Sequence, residues 1–329
     1  MRTGFASLAA GLALVCGCAG GTGVVRLPEA QPSPEQMAQL WVDPGRTPRD
    51  LFWGVGGKRY APPPDARYEF EGKDELGFSV SYDVTSPDGV EWSAKIGPEA
   101  QTEVVVSRIL WGLGYHQPPI YYLPAWDVEL EEGEVRRESE ARFRPKLERL
   151  ERLDEYWSWR DNPFLGTRPF NGLLVVLLML NSTDLKDDNN SIYELREPWP
   201  YDGIPVSAGL RTWFVVRDLG AALGETGKLY PKRNWIEGFE QEEFITGVED
   251  GGIRFAFTGR HGELLERITP ADLRWAATRL QRLTDDQWRD AFRSANYPDA
   301  VRDRYLRKIR QKIEEALKVA ATAQATPDV

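Results

Sequence analysis

The sequence predicts an α+β fold of two lobes, a β-rich half followed by an α-rich half. Three observations carry that expectation. Two strand-like runs joined by a turn occupy 78–96, capped helix starts dominate from Thr269 onward, and 41% hydrophobic with 11% aromatic residues over 329 positions suffices for a core of domain size. Disorder is thereby excluded for most of the chain. Lys and Arg number 41 against 51 Asp and Glu, a net charge of −10 spread along the sequence, so no nucleic-acid partner is expected. The longest apolar runs, Phe5–Cys18 and Leu173–Leu180, fall short of the roughly 18–20 residues that span a bilayer.

Arg2 and the apolar stretch after it read as a secretory signal, with 1–18 absent from the mature protein. Its end, Val15-Cys16-Gly17-Cys18-Ala19, resembles a bacterial lipobox, and Cys18 fits better than Cys16 because Gly17 is small where Val15 is branched. The resemblance implies an exported protein held at the bacterial envelope, on the periplasmic or outer-membrane face, with a lipid on Cys18 as its only membrane attachment. Both cysteines lie in this leader, so thiol catalysis, disulfides and Cys-ligated zinc are excluded from the folded body. Residues 19–34 read as a flexible tether and 320–329 as an unstructured tail, leaving a body of 35–319 with lobes at about 47–130 and about 147–319.

Within the body, Ser33-Pro34-Glu35-Gln36 combines an N-cap, Pro at N1 and Gln at N3, and predicts a helix to about Val42. Gly54-Val55-Gly56-Gly57 reads as a plain turn. The runs 78–85 and 90–96 are joined by Ser86-Pro87-Asp88-Gly89, where Pro presets φ and Gly accepts a positive φ, predicting a hairpin. Pro98-Glu99 opens a helix whose Val105, Ile109, Leu110 and Leu113 recur at helical spacing, ending at Gly112 or Gly114. Short strands follow at 120–123 and 126–130, and the charged run 131–155 is expected to hold a strand and a solvated helix. Residues 170–181 form a strongly apolar helix, then come the polar loop 182–190 and strands at 191–195 and 212–217. Thr269-Pro270-Ala271-Asp272 and Thr284-Asp285-Asp286-Gln287 are cap-like starts, and Pro298 opens the last helix.

The chemistry concentrates in the polar loop, where Asp184, Lys186 and Asn189 stand at fixed offsets. Phosphoryl transfer needs this set: a carboxylate to accept a hydroxyl proton, an ammonium to balance the moving charge, an amide oxygen to hold a metal. Asp-x4-Asn alone is weak, and its value depends on company. The strand 212–217 runs into Asp218-Leu219-Gly220, suited to aiming a carboxylate at a metal on phosphates. Upstream, Trp92-Ser93-Ala94-Lys95-Ile96 puts a lysine inside an apolar strand, where its charge needs a partner, and either Glu99 or Glu103, one turn apart on the next helix, can supply it.

These segments resemble the protein kinase-like superfamily: Asp184-Leu185-Lys186-Asp187-Asp188-Asn189 is similar to D-L-K-x-x-N, Asp218-Leu219-Gly220 to D-F-G, and Ser93-Ala94-Lys95 to the end of V-A-I-K, all in kinase order over about 70–220. Ser182-Thr183 replaces the usual His-Arg, A-P-E and G-x-G-x-x-G are missing, and the helix glutamate follows Lys95 unusually soon. Those departures place the resemblance with atypical branches, the HipA-type, four-jointed-type and phosphoinositide-type kinases. It implies a bilobal fold and an atypical kinase that uses ATP with Mg²⁺ or Mn²⁺ on an unknown acceptor, protein or small molecule. Asp184 would be the base, Lys186 would sit near the γ-phosphate, Lys95 would hold the other phosphates with Glu103 orienting it, and Asn189 and Asp218 would take the metal. The phosphate loop would lie at Gly72–Gly77 with Ser79 and Ser81, making Gly77 and Ser79 nucleotide contacts. Two other functions fit the same residues: a catalytically inactive binding protein of the envelope, and an adenylyl transferase.

Several residues read as structural. Asp187 and Asp188 face solvent, and an EF-hand fails because Lys186 stands at its third position and Gly is absent from its sixth. His116 and His261 are too few for a His-rich metal site and read as surface or packed residues, while Trp275, Trp288 and Phe292 lie on apolar helix faces. The basic run 302–312 alternates with Tyr305, Leu306 and Ile309, as in a packed helix with a solvated face.

Overall fold

A computed structural model describes residues 25–74, 79–130, 133–182, 184–197, 199, 212–227, 231–257 and 259–325. The leader, Cys18 and Gly77 therefore lie outside the described residues. A sheet-rich first half precedes a helix-rich second half, the mixed α+β order that the sequence predicts.

The first half is a seven-stranded sheet built from β1 (Arg67–Asp74), β2 (Ser81–Thr85), β3 (Glu91–Ile96), β4 (Tyr121–Leu123), β5 (Trp126–Glu129), β6 (Val135–Glu138) and β7 (Ala141–Pro145). Its spatial order is β4-β7-β3-β2-β1-β5-β6, with only β1 and β5 parallel. The expected hairpin is β2–β3, with Ser81 opposite Lys95. Alternation along the strands sorts the two faces. One face buries Tyr68, Tyr82, Trp92, Trp126 and Phe143 in an aromatic cluster. The other carries Ser93 and Lys95, opposite Arg144 and Arg142 on β7.

That charged face meets α2 (Glu99–Gly112), which follows α1 (Pro34–Met37) in the chain and is buried along nearly its whole length. Its Val104, Val105, Val106, Ile109 and Leu110 join the core of the second half. A three-stranded sheet of β8 (Leu150–Arg152), β9 (Asn190–Leu195) and β10 (Thr212–Val216) runs in the order β10-β9-β8. Around that core stand α3 (Arg168–Met179), α4 (Ile236–Gln241), α5 (Gly262–Leu265), α6 (Pro270–Gln281), α7 (Asp285–Arg293) and α8 (Asp299–Ala325), with a hairpin of β11 (Ile245–Glu249) and β12 (Gly252–Phe255).

Five expectations change. The 131–155 run holds three strands and, among its described residues, no helix. Its Arg142 and Arg144 look solvated in sequence, yet they are buried because Glu103 pairs with both. The first helix stops at Met37 rather than Val42, since Trp41 pairs with Tyr115 and gives its Nε1–H to the Leu113 carbonyl (2.8 Å). Gly54–Gly56 is a 3₁₀ turn whose Gly54, at φ +71°, lies against the Arg108 guanidinium with no room for a Cβ. Part of the expected tether touches the body, Val25 packing on the core and the Arg26 N–H reaching the Arg160 carbonyl (3.2 Å). The last helix runs to Ala325, with Ala320 buried, so the segment from 320 to 325 is helix rather than tail.

Candidate active site

The loop after α3 is shaped by hydrogen bonds rather than by regular structure. Asn181 turns the chain at φ +53°, donating Nδ2 to the Gly224 carbonyl (2.7 Å) while its Oδ1 accepts from Lys312 Nζ (2.7 Å). Leu185 is buried, and its carbonyl accepts from His261 Nε2 (2.8 Å), which assigns the proton to that nitrogen. Burial holds the His261 imidazole below its ordinary range against the opposing pull of that carbonyl. His261 is thus packed, as expected, and also an anchor of the loop. Asp187 corrects its solvent-facing expectation, because Oδ1 accepts the Trp159 N–H (3.0 Å).

The chemical residues sit on this frame. Asp184, with 27% of its side chain exposed, accepts from Lys186 Nζ at 3.0 Å. Asn189 joins two segments. Its Nδ2 donates to the Asp184 carbonyl (2.6 Å), and its own carbonyl accepts the N–H groups of Arg217 (2.9 Å) and Asp218 (3.1 Å). The strand end carrying Asp218 is thereby fixed beside the loop carrying Asp184. With Nδ2 engaged, Asn189 Oδ1 is the end of that amide left to accept from a ligand.

Lys95, far away in sequence, reaches the same place. Its Nζ lies 3.2 and 3.3 Å from the two Asp218 oxygens, 2.7 Å from Glu99 Oε2 and 3.5 Å from Glu103 Oε2. The nearest glutamate is therefore Glu99, not Glu103. Glu99 also takes the Ser79 hydroxyl (3.1 Å) and Arg233, while Glu103 binds Arg142 Nε (3.0 Å) and Arg144 Nη2 (2.6 Å). Burial raises the Glu103 carboxyl, but Arg142, Lys95, Arg144 and Arg217 together overcome it and hold the pKa at about 2. Burial, then Arg142 and Arg217, pull Arg144 down to about 9, still protonated at neutral pH.

Glycine at 220 answers to space. A Cβ there would strike the Glu99 side chain, and the Gly220 carbonyl accepts the Thr102 hydroxyl (2.7 Å), tying the segment after Asp218 to α2. Of the other expected nucleotide contacts, Gly72 lies inside β1 opposite Asp83 and Ser81 lies in β2, so neither belongs to a loop. Ser79 is described and touches Glu99.

The structure thus brings Lys95, Glu103 and Asp218 together, sets Asn189 and Asp184 beside them through Asn189, and pairs Lys186 with Asp184. Sequence reasoning missed Arg142, Arg144, Arg217, Arg233 and His261. Alternating arginines on β7 are the one local signal, legible only once that run is known to be a strand. Among the described residues no group of three or more His, Cys, Asp or Glu could cage a metal. Asp218 with Asn189 does match the donor set of a magnesium ion that completes its shell with water and phosphate.

No family model matches the chain, and no curated protein matches it. Among solved structures it is similar to the Helicobacter pylori proinflammatory kinase CtkA, at 11% identity over 79% of this chain and 99% of that one, with a TM-score of 0.43. A likeness this distant carries nothing about chemistry.

Proposed function

We propose that the chain is a kinase-like phosphotransferase that moves the terminal phosphoryl group of a nucleoside triphosphate, ATP by the sequence resemblance, to an acceptor hydroxyl. The observation that carries this reading is the ammonium of Lys95 within 3.3 Å of both Asp218 oxygens, on a segment that Asn189 locks to the Asp184 loop. Around it Lys95, Arg142, Arg144, Arg217 and Arg233 outnumber Glu99, Glu103 and Asp218, an excess of positive charge that suits a polyphosphate. Glu99 and Glu103 hold the Lys95 ammonium against the phosphates. Asp184 accepts the acceptor's proton, and Lys186, paired to it, balances charge at the transferred group. Asn189 and Asp218 would hold Mg²⁺ or Mn²⁺, which when bound neutralises phosphate charge.

The proposal includes export and a lipid on Cys18 as the only membrane attachment. Among the described residues no helix is long and apolar enough to cross a membrane. Globomycin, which blocks lipoprotein signal cleavage, should then accumulate the unprocessed precursor, and processing unaffected by the drug would remove this part.

Thermal shift with Mg²⁺–nucleotide should raise the melting temperature of the parent and leave Asp218→Ala unmoved. Label should pass from the γ-phosphate to an acceptor with the parent protein and not with Asp184→Ala. Transfer from the α-phosphate would identify an adenylyl transferase, binding without transfer a non-catalytic binder, and absence of binding would remove the nucleotide reading altogether.

A further inference from the structure

Three donors from distant parts of the chain meet on one carboxylate. Glu99, at the start of α2 and buried, takes Lys95 Nζ (2.7 Å) and the Ser79 hydroxyl (3.1 Å) on Oε2 and Arg233 Nη1 on Oε1. Two cations thus stand across a single carboxylate, and one of them is the ammonium that also meets both Asp218 oxygens.

Backbone bonds fix where Arg233 stands. Residues 232–235 run back along 222–225, the segment that follows Asp218: the Glu225 N–H gives to the Lys232 carbonyl (2.9 Å), the Asn234 N–H to Ala222 (3.1 Å) and the Trp235 N–H to Leu223 (2.9 Å). A Cβ at Gly224 would strike the Lys232 carbonyl, so the two runs come this close only with glycine there. Asn234 Nδ2 then gives to Gln101 Oε1 (2.9 Å), which draws the run against the helix that carries Glu99. Of the arginines paired with Glu99 or Glu103, Arg142 and Arg144 keep 4% and 7% of their side chains exposed, and Arg233 keeps 21%. A planar guanidinium can bind a carboxylate on one edge and a phosphate on another.

The nucleotide reading needs such a donor. G-x-G-x-x-G is absent from the sequence, and Gly72 and Ser81, two of the expected phosphate contacts, lie in strands. We propose, resting on that reading, that Arg233 is a phosphate-binding residue: with Lys95 it grips the phosphate chain of ATP, the task that a glycine-rich loop performs in ordinary kinases. Glu99 then serves as the shared mount that aims both cations at the phosphates.

The test is a double-mutant cycle read by titration calorimetry of the full chain with Mg²⁺–ATP: parent, Arg233→Met, Glu99→Gln and the two together. Arg233→Met is expected to weaken binding about tenfold or more, the scale of one lost charge-assisted contact, and to do so in both backgrounds. A loss that disappears in the Glu99→Gln background would mean that Arg233 only balances Glu99, and that result overturns the assignment, as does unchanged affinity in Arg233→Met. Where the methionine variant fails to fold, Arg233→Lys keeps the charge without the fork and should weaken Mg²⁺–ATP by about threefold or more, with unchanged affinity again overturning the assignment. Each of these overturning results leaves phosphoryl transfer standing, whereas no binding of Mg²⁺–ATP by the parent overturns both.

Discussion

Glu103 is the residue on which the charged face of the sheet depends. Its carboxylate is the shared anion of Lys95, Arg142 and Arg144, all buried. Removing one partner of a buried ion cluster strands the others, so Glu103→Gln should cost about 3–5 kcal/mol in urea unfolding. With a folded pKa of about 2 against the ordinary 4.5, the stability Glu103 contributes is fully present above pH 4.5 and drains away as pH falls toward 2. Lys312 behaves oppositely. Burial, with Lys308 adding to it and Glu242 and Glu315 opposing, lowers the amine to about 7, while a neutral amine still donates to the Met179 carbonyl (3.0 Å) and Asn181 Oδ1 (2.7 Å). Between pH 7 and its ordinary 10.5 the unfolded chain holds a proton that the native state lacks, so stability rises with pH through that window. Lys312→Met should flatten the rise between pH 7 and 9 in chemical denaturation, and an unchanged slope would assign it elsewhere. Asp184, Asn189, Asp218 and Lys95 could be picked out of the sequence because motif spacing is local. The choice between Glu99 and Glu103 could not, because Arg142, Arg144 and Arg233 decide which carboxylate each cation takes, and they come from other elements.

Helix starts were legible because their signals lie within four residues. Ser33, Thr269 and Thr284 each form the capping box that the sequence suggests. Strands with charged alternation were not. β7 presents arginine at every second position, the mark of a solvent face, and only the carboxylate of α2 makes that face an interior one. Close approach of α3 to α6 was equally hidden. A methyl at Gly172 would collide with the Trp275 ring, which packs on Trp41 (5.3 Å between centroids) and under the Arg279 guanidinium (4.4 Å), contacts that a retreating ring would have to give up. Gly172→Ala should therefore destabilise by about 1–3 kcal/mol despite its better helix propensity. A stability equal to or above the parent's would show that the indole moves aside.

For the whole molecule, α2 is the joint. Its carboxylates belong to the sheet's charged face and its apolar side to the core of the helical half. Losing that helix would strip the sheet's charged face of its anions and the helical half of part of its core, so the two should unfold together. Tryptophan fluorescence and far-UV circular dichroism should give coincident denaturation curves, and separated midpoints would contradict a shared interior.

Asn189 carries one further implication. Because a single residue fastens the backbone of Asp184 with its side chain and that of Asp218 with its carbonyl, the two acids travel as one piece. An off-state that moves the Asp184 backbone away while Asp218 stays put has to break the bond from Asn189 Nδ2, and one that moves the Asp218 backbone instead has to break the two at the Asn189 carbonyl. A control that repositions the backbone of either acid therefore has to shift both together or part them at Asn189.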